Sequence, residues 1–161
     1  MSELDAKFED GGEEPIRLEA QGAEDLQVIS TLTQDAVAQT SDMSWLKRRR
    51  RFMMLLNRFR WEDHDRATQS GRPFERVQSL LVIDNVLTIK SADIDPADKD
   101  LVLNIIGLAF EPGEDCAGRL VVTFSGDGAL ALDVEALDVK LKDVSRPYQA
   151  RAKSAPAHDL D

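Results

Sequence analysis

"WLKRRRRFMMLLNRFRWED", residues 45–63, carries seven of the chain's twenty Lys and Arg residues and both of its tryptophans. Wound as a helix at about 100° per residue, its apolar side chains point in every direction. Met54 and Trp61 fall opposite Trp45, Phe52 and Leu56, and Arg48 and Arg49 break into the apolar face. Extended, the same residues sort cleanly. Phe52, Met54 and Leu56 share one face, and Met53, Leu55, Phe59 and Trp61 the other. The strand reading is preferred, although Leu, Met, Arg and Lys are all good helix formers. A strand apolar on both sides belongs inside a sheet, covered on each face. Leu55 is therefore expected to be buried, and Leu55→Asp to unfold the domain. The stretch makes a hairpin: "AVAQT" and "MSWL" ascend, "KRRR" turns, and "RFMMLLNRFRW" descends.

Upstream, "PIRLEAQ" alternates Ile16 and Leu18 against Arg17 and Glu19, a short strand. Gly22 can cap "AEDLQVISTLTQDA", a helix with Glu24 and Asp25 at the positive end of its dipole. Leu26, Ile29, Thr33 and Ala36 line one face of it, with Leu32 beside them. Downstream, "EDHDRATQSGRPF" reads as a polar loop punctuated by Gly71 and Pro73. "RVQSLLVI" and "VLTIK" flank Asp84-Asn85, residues that tolerate the positive φ of a tight hairpin turn. "DIDPADKD" connects onward, with one helical turn at most. "LVLNIIGLAFE" and "GRLVVTFS" are joined by "PGEDCAG", and "SGDG" turns the chain into "ALALDVEALDVKLKDV". There Leu130, Leu132 and Val134 alternate, then Leu137, Val139 and Leu141 on the shifted parity. One extra residue near Glu135-Ala136 implies a bulge that bends a long strand. The expected fold class is α+β: a bent antiparallel sheet or partly open barrel of seven to eight strands, with one N-terminal helix packed on it.

The 161 residues suit one domain with tails: an acidic arm over 1–14, without apolar period and expected to be disordered, a domain over 15–144, and a C-terminal tail over 145–161. Hydrophobic residues at 42% and charged residues at 31% describe a globular chain able to build a core without metal or disulfide. The net charge is −10, but residues 1–25 hold nine acids against Lys7 and Arg17, so the remaining body is nearly balanced. No apolar run approaches the roughly 20 residues of a membrane span. The N-terminus lacks the apolar core of a secretory signal, and Cys116, the one cysteine, can form no internal disulfide. A cytoplasmic protein is expected, with no membrane partner.

"EDLQVISTLTQDA", "RRRFMMLLNRFRWE", "ERVQSLLV" and "PAHDL" resemble the alphaproteobacterial family known as domain of unknown function 2948. The resemblance runs from about residue 16 to the C-terminus, and its most specific block is "RRRFMMLLNRFRWE". It implies a bacterial, cytoplasmic, single-domain protein and carries over no catalytic residue.

Lys47, Arg48, Arg49, Arg50, Arg51, Arg58 and Arg60 form the one candidate contact surface, for nucleic acid or for a partner. Seven cations without an intervening acid could meet several phosphates, and Trp45, Phe52, Phe59 and Trp61 could stack on bases. Against this, an Arg-rich turn is commonly just solvated, and Arg58 and Arg60 can pair with carboxylates on neighbouring strands. Asn57, Arg58, Arg60 and Glu62 read as a satisfied polar network. "EDHD", residues 62–65, has metal-ligand side chains, but contiguous loop residues rarely converge on one ion, and His158 lies in the tail. Carboxylates beside Cys116 disfavour a thiolate nucleophile. "FSGDG" lacks the Lys and the following helix of a phosphate loop.

No catalytic or metal-ligating residue and no cofactor is assigned. The preferred expectation is a non-catalytic binding or assembly protein, a homo-oligomer through an exposed sheet edge being one form of it. A nucleic-acid-associated protein using residues 47–60 is the first alternative, disfavoured by overall acidity. An enzyme with an unrecognised carboxylate-based site is the second.

Overall fold

The computed structural model describes residues 15–71, 74–95 and 97–149. Its centre is the stretch just read: β3 (Met43–Leu46) pairs with β4 (Arg51–Phe59) across a 3-10 turn at Lys47–Arg49. Arg50 closes that turn in the left-handed region, at φ 54°. Ahead of them lie β1 (Arg17–Ala20), α1 (Ala23–Leu32) and β2 (Val37–Gln39). A second short helix, α2 (His64–Ser70), follows β4. Then come β5 (Glu75–Ile83), β6 (Val86–Ala92), β7 (Val102–Pro112), β8 (Gly118–Phe124), β9 (Ala129–Val134), β10 (Val139–Asp143) and β11 (Tyr148–Gln149). All pairings are antiparallel. They build one open sheet in the order β1-β10-β5-β4-β2-β7-β8-β9-β6, with β3 beside β4 and β11 beside β5.

The architecture is α+β and mostly antiparallel sheet, with eleven strands and two helices among the described residues rather than seven or eight strands and one helix. The extra strands are short pieces such as β2 and β11, too brief to show a period. The second helix falls where the sequence reads as a polar loop, because only Ala67 of its seven residues is buried. Gly71 ends it at φ 68°, the left-handed conformation glycine adopts without penalty. Residues 1–14 and 150–161, which hold the acidic arm and most of the tail, lie outside the described residues.

Asp84-Asn85 is not a hairpin turn. β5 pairs with β4, β10 and β11, and β6 with β9 alone. The chain passes from one half of the sheet to the other at Asn85, which takes φ 62°. The ribbon opposite bends with it, as the parity shift requires: Ile83 faces Val139 and Val86 faces Val134, so residues 135–138 oppose only 84–85. Asp84 N–H donates to Asp138 O at 3.0 Å and Glu135 N–H to Asn85 O at 2.9 Å, so the corner keeps its backbone bonds.

Curling the sheet this way encloses one core. Phe52, Met54 and Leu56 of β4, Leu81 and Ile83 of β5, and Leu120 of β8 are among its buried members. α1 contributes Leu26 and Ile29, packing against β7 and β1. Its Ser30 Oγ accepts from Leu108 N–H at 2.9 Å, just past the register shift of β7 between Ile105 and Gly107. The helix stops at Leu32 instead of continuing to residue 36. Asp35 turns left-handed at φ 65° and donates its N–H to Ile105 O, drawing the chain into β2. Thr33 and Ala36 are buried as the helical spacing implied, though beyond the helix.

Among the described residues, β4 is not fully covered on both faces. Phe52, Met54, Leu56 and Arg58 are buried, whereas Arg51, Met53, Leu55 and Asn57 are only partly so. Cover on the outer side arrives only at Phe59, where Trp61 meets its ring at 4.6 Å and Phe74 at 5.5 Å. The expectation that Leu55 lies in a closed interior is corrected accordingly.

Candidate functional site

The seven cations of residues 47–60 divide among three environments. Arg58 points inward at the end of the core and is 0% exposed. Its guanidinium donates to both Glu62 oxygens at 2.9 Å, to Asp143 at 3.0 and 3.1 Å, and to Ser79 Oγ at 2.9 Å. Asp143 also accepts from Ser79 Oγ at 2.7 Å and from Ile16 N–H at 2.9 Å, so one carboxylate ties β4, β5, β10 and the start of β1 together. Burial alone would lower the guanidinium's pKa. Hydrogen bonds and charge from Glu62 and Asp143 outweigh it and hold Arg58 above its ordinary value. Arg60, also buried, pairs with Glu75, Asp63 and Glu62. These two arginines are internal fasteners.

Arg50 and Arg51 lie at the corner of the sheet. Arg50 pairs with Glu135, and Arg51 Nε donates to Asp84 at 2.7 Å. Lys140 approaches the same carboxylate at 3.1 Å. Burial opposes ionisation of Asp84, but hydrogen bonds from Arg51 and Lys140 prevail and hold its carboxyl below the usual range. The hydrogen bond to Asp84 likewise raises Lys140. Lys47, Arg48 and Arg49 are exposed on their turn and make no ion pair among the described residues. The aromatics that could stack on bases are mostly committed elsewhere. Phe52 and Phe59 are buried, Trp45 packs against the core, and Trp61 Nε1–H donates to Gln34 O at 2.9 Å.

What sequence reading missed lies on the outer face of the same strands. Met53 is opposite Val82 and Leu55 opposite Leu80, so four partly exposed apolar side chains form a stripe across β4 and β5. The next strand places Lys140 beside Val82 and Lys142 beside Leu80, and β1 places Arg17 beside Lys142. A groove of about 500 Å³ runs between stripe and cations, with Arg51 and Glu19 on its rim. Arg17 and Lys142 make no ion pair among the described residues. The signal was present in the sequence: alternating Lys140 and Lys142 in "DVKLKDV", and apolar residues on both parities of β4. Only the strand order joins them.

The remaining candidates are separated. Glu62 and Asp63 face arginines, His64 stacks on Phe74 with centroids 5.2 Å apart, and Asp65 is exposed. No group of three metal-ligating side chains occurs among the described residues. Cys116 is exposed on the β7–β8 connection. The "FSGDG" segment is the β8–β9 turn, with Gly126 at φ 81°.

Fold and site together define a protein of one bent antiparallel sheet, fastened internally by arginine–carboxylate clusters and open on a cationic outer face. Residues 16–158 match the family described as "Protein of unknown function (DUF2948)", and the chain belongs to that family. No curated protein and no solved structure matches it. No helix among the described residues is long and apolar enough to cross a membrane.

Proposed function

We propose that this is a non-catalytic, cytoplasmic binding protein whose recognition surface is the outer face of β1, β10, β5 and β4. The partner is a protein segment carrying acidic residues around an apolar anchor. One observation carries the reading: the Met53, Leu55, Leu80 and Val82 stripe is only partly buried among the described residues and is edged by Arg17, Lys142 and Lys140. Uncovered apolar area contributes about 25 cal/mol per Å² when a partner removes it from water, and a surrounding cationic rim selects acidic partners and speeds encounter. The carboxylates support a non-catalytic reading. Those that cluster face guanidinium or ammonium groups, and Asp84 is held low, the wrong direction for a general acid near neutral pH.

The test is a titration with short synthetic peptides, acidic with a central Phe against a basic analogue, followed by methyl chemical shifts at low salt. Shifts confined to Met53, Leu55, Leu80 and Val82, seen with the acidic peptide and lost in Lys142→Glu, support the reading. Equal response to the basic analogue, or shifts scattered over the surface, would sink it.

Assembly is the second reading. β6 ends the sheet as a seven-residue edge, and Leu87 on it is 42% exposed. A concentration-dependent sedimentation coefficient, abolished by Leu87→Lys, favours this alternative; a monomer at all concentrations removes it.

A further inference from the structure

We propose that the cationic groove is regulated in cis: the chain's own acidic segment, residues 1–14, occupies it and competes with the partner. The inference rests on the reading that this groove takes an acidic, apolar-bearing segment. The segment "MSELDAKFEDGGEE" has that chemistry. Six carboxylates (Glu3, Asp5, Glu9, Asp10, Glu13, Glu14) stand against Lys7, and Phe8 sits among them as the one aromatic. Its point of attachment is equally suited, because Pro15 leads directly into β1, whose Arg17 and Glu19 form the groove's near wall.

Reach is sufficient. From β1 across β10 and β5 to β4 is three strand spacings, about 14 Å at roughly 4.8 Å each. The seven residues from Phe8 to Pro15 span up to about 25 Å when extended. Phe8 can therefore lie on the Met53, Leu80 and Val82 stripe while Glu9, Asp10, Glu13 and Glu14 pass Lys142, Arg17 and Lys140. Arg17 and Lys142 have no ion-pair partner among the described residues, so the arm would complete rather than disrupt pairing. Contacts of this kind are exposed and salt-screened, each contributing up to about 1 kcal/mol. That makes a competitor which a better partner displaces.

Two measurements on the full chain test this. In the first, zero-length carbodiimide coupling is followed by mass spectrometry on a mixture of isotopically labelled and unlabelled protein. Links from Glu9, Asp10, Glu13 or Glu14 to Lys140 or Lys142 are expected, within one chain. They should fade toward 1 M salt, where the Debye length is about 3 Å. Equal coupling to Lys90 and Lys99, or links only between chains, would overturn self-occupancy. In the second, a synthetic peptide of residues 1–14 is titrated into wild type and into a full chain carrying Phe8→Ser, Glu9→Lys and Asp10→Lys. If the arm fills the groove about nine-tenths of the time, the variant binds the peptide about tenfold more tightly. Equal affinity refutes self-occupancy and leaves the groove reading standing. Absence of binding to either protein also refutes self-occupancy, and the groove reading then rests on the titration with acidic Phe-bearing peptides.

Discussion

The two faces of β4 are about equally apolar in sequence and fare differently in the fold. Phe52, Met54 and Leu56 join the core that the curled sheet and α1 enclose; Met53 and Leu55, one residue away, stay partly exposed, and Met53 lines an open groove. Alternation determines which side chains travel together. Whether a face is buried depends on whether another layer arrives to cover it, and here the longer of the described helices, α1, goes to the inner side. Arg58 sharpens the contrast. Of the strand's two arginines, Arg58 lies on the closed face, because Glu62, Asp143 and Ser79 converge there to receive it.

Leu56→Asp should have the largest effect. A carboxylate without a partner in the core costs several kcal/mol, against the roughly 5–15 kcal/mol that holds a typical domain together. Loss of the cooperative melting transition is expected; a parent-like midpoint would place Leu56 outside the core. Arg58→Met should cost about 3–5 kcal/mol in urea unfolding, because Glu62 and Asp143 are left without their cation. Adding Asp143→Leu should recover part of that loss, since the orphaned carboxylate goes with it. If the double variant is as destabilised as the sum of its parts, the two residues act independently.

Leu55→Asp, on the open face, should keep a cooperative transition and lose no more than about 1 kcal/mol. Unfolding of this variant would restore the picture of a strand covered on both sides. Acid stability probes the corner of the sheet. Asp84 has a lower pKa folded than its ordinary 3.8, so at a pH between the two values the unfolded chain holds a proton that the native chain lacks. Its contribution is complete above about pH 4 and disappears as pH falls through the folded value. Asp84→Asn should flatten the fall of melting temperature below pH 4, and an unchanged slope would assign the acid sensitivity to other carboxylates. The smallest effect belongs to the Lys47–Arg49 turn. Replacing all three residues by Ala should change stability by less than about 0.5 kcal/mol. Wild type should bind single-stranded RNA or DNA no more tightly than about 10⁻⁴ M at physiological salt. Micromolar affinity, lost in the triple variant, would make the basic turn a nucleic-acid site.

Much of this was legible residue by residue. Two-residue alternation located most long strands, the arginine turn between β3 and β4 stood out by charge, and the shifted parity at Glu135-Ala136 marked the sheet's corner. α2 was not legible, because a helix that buries only Ala67 leaves no apolar period to detect. The groove was invisible for another reason: its stripe and its cations lie on four strands whose adjacency is not the order of the chain.

The sequence by itself determined which segments extend, which side chains share a face, and that its charge is concentrated in the first 25 residues and in the run from 47 to 60. These follow from backbone periodicity and composition, which are local. Only the tertiary structure decided that Asn85 is a bend rather than a hairpin, and that no described element closes over Met53 and Leu55 on the outer face of β4. It also turned two of the seven basic residues into internal fasteners. Arg58 meets Asp143 across 85 positions of chain, and a contact so distant exists only once β4, β5 and β10 have come together in the sheet.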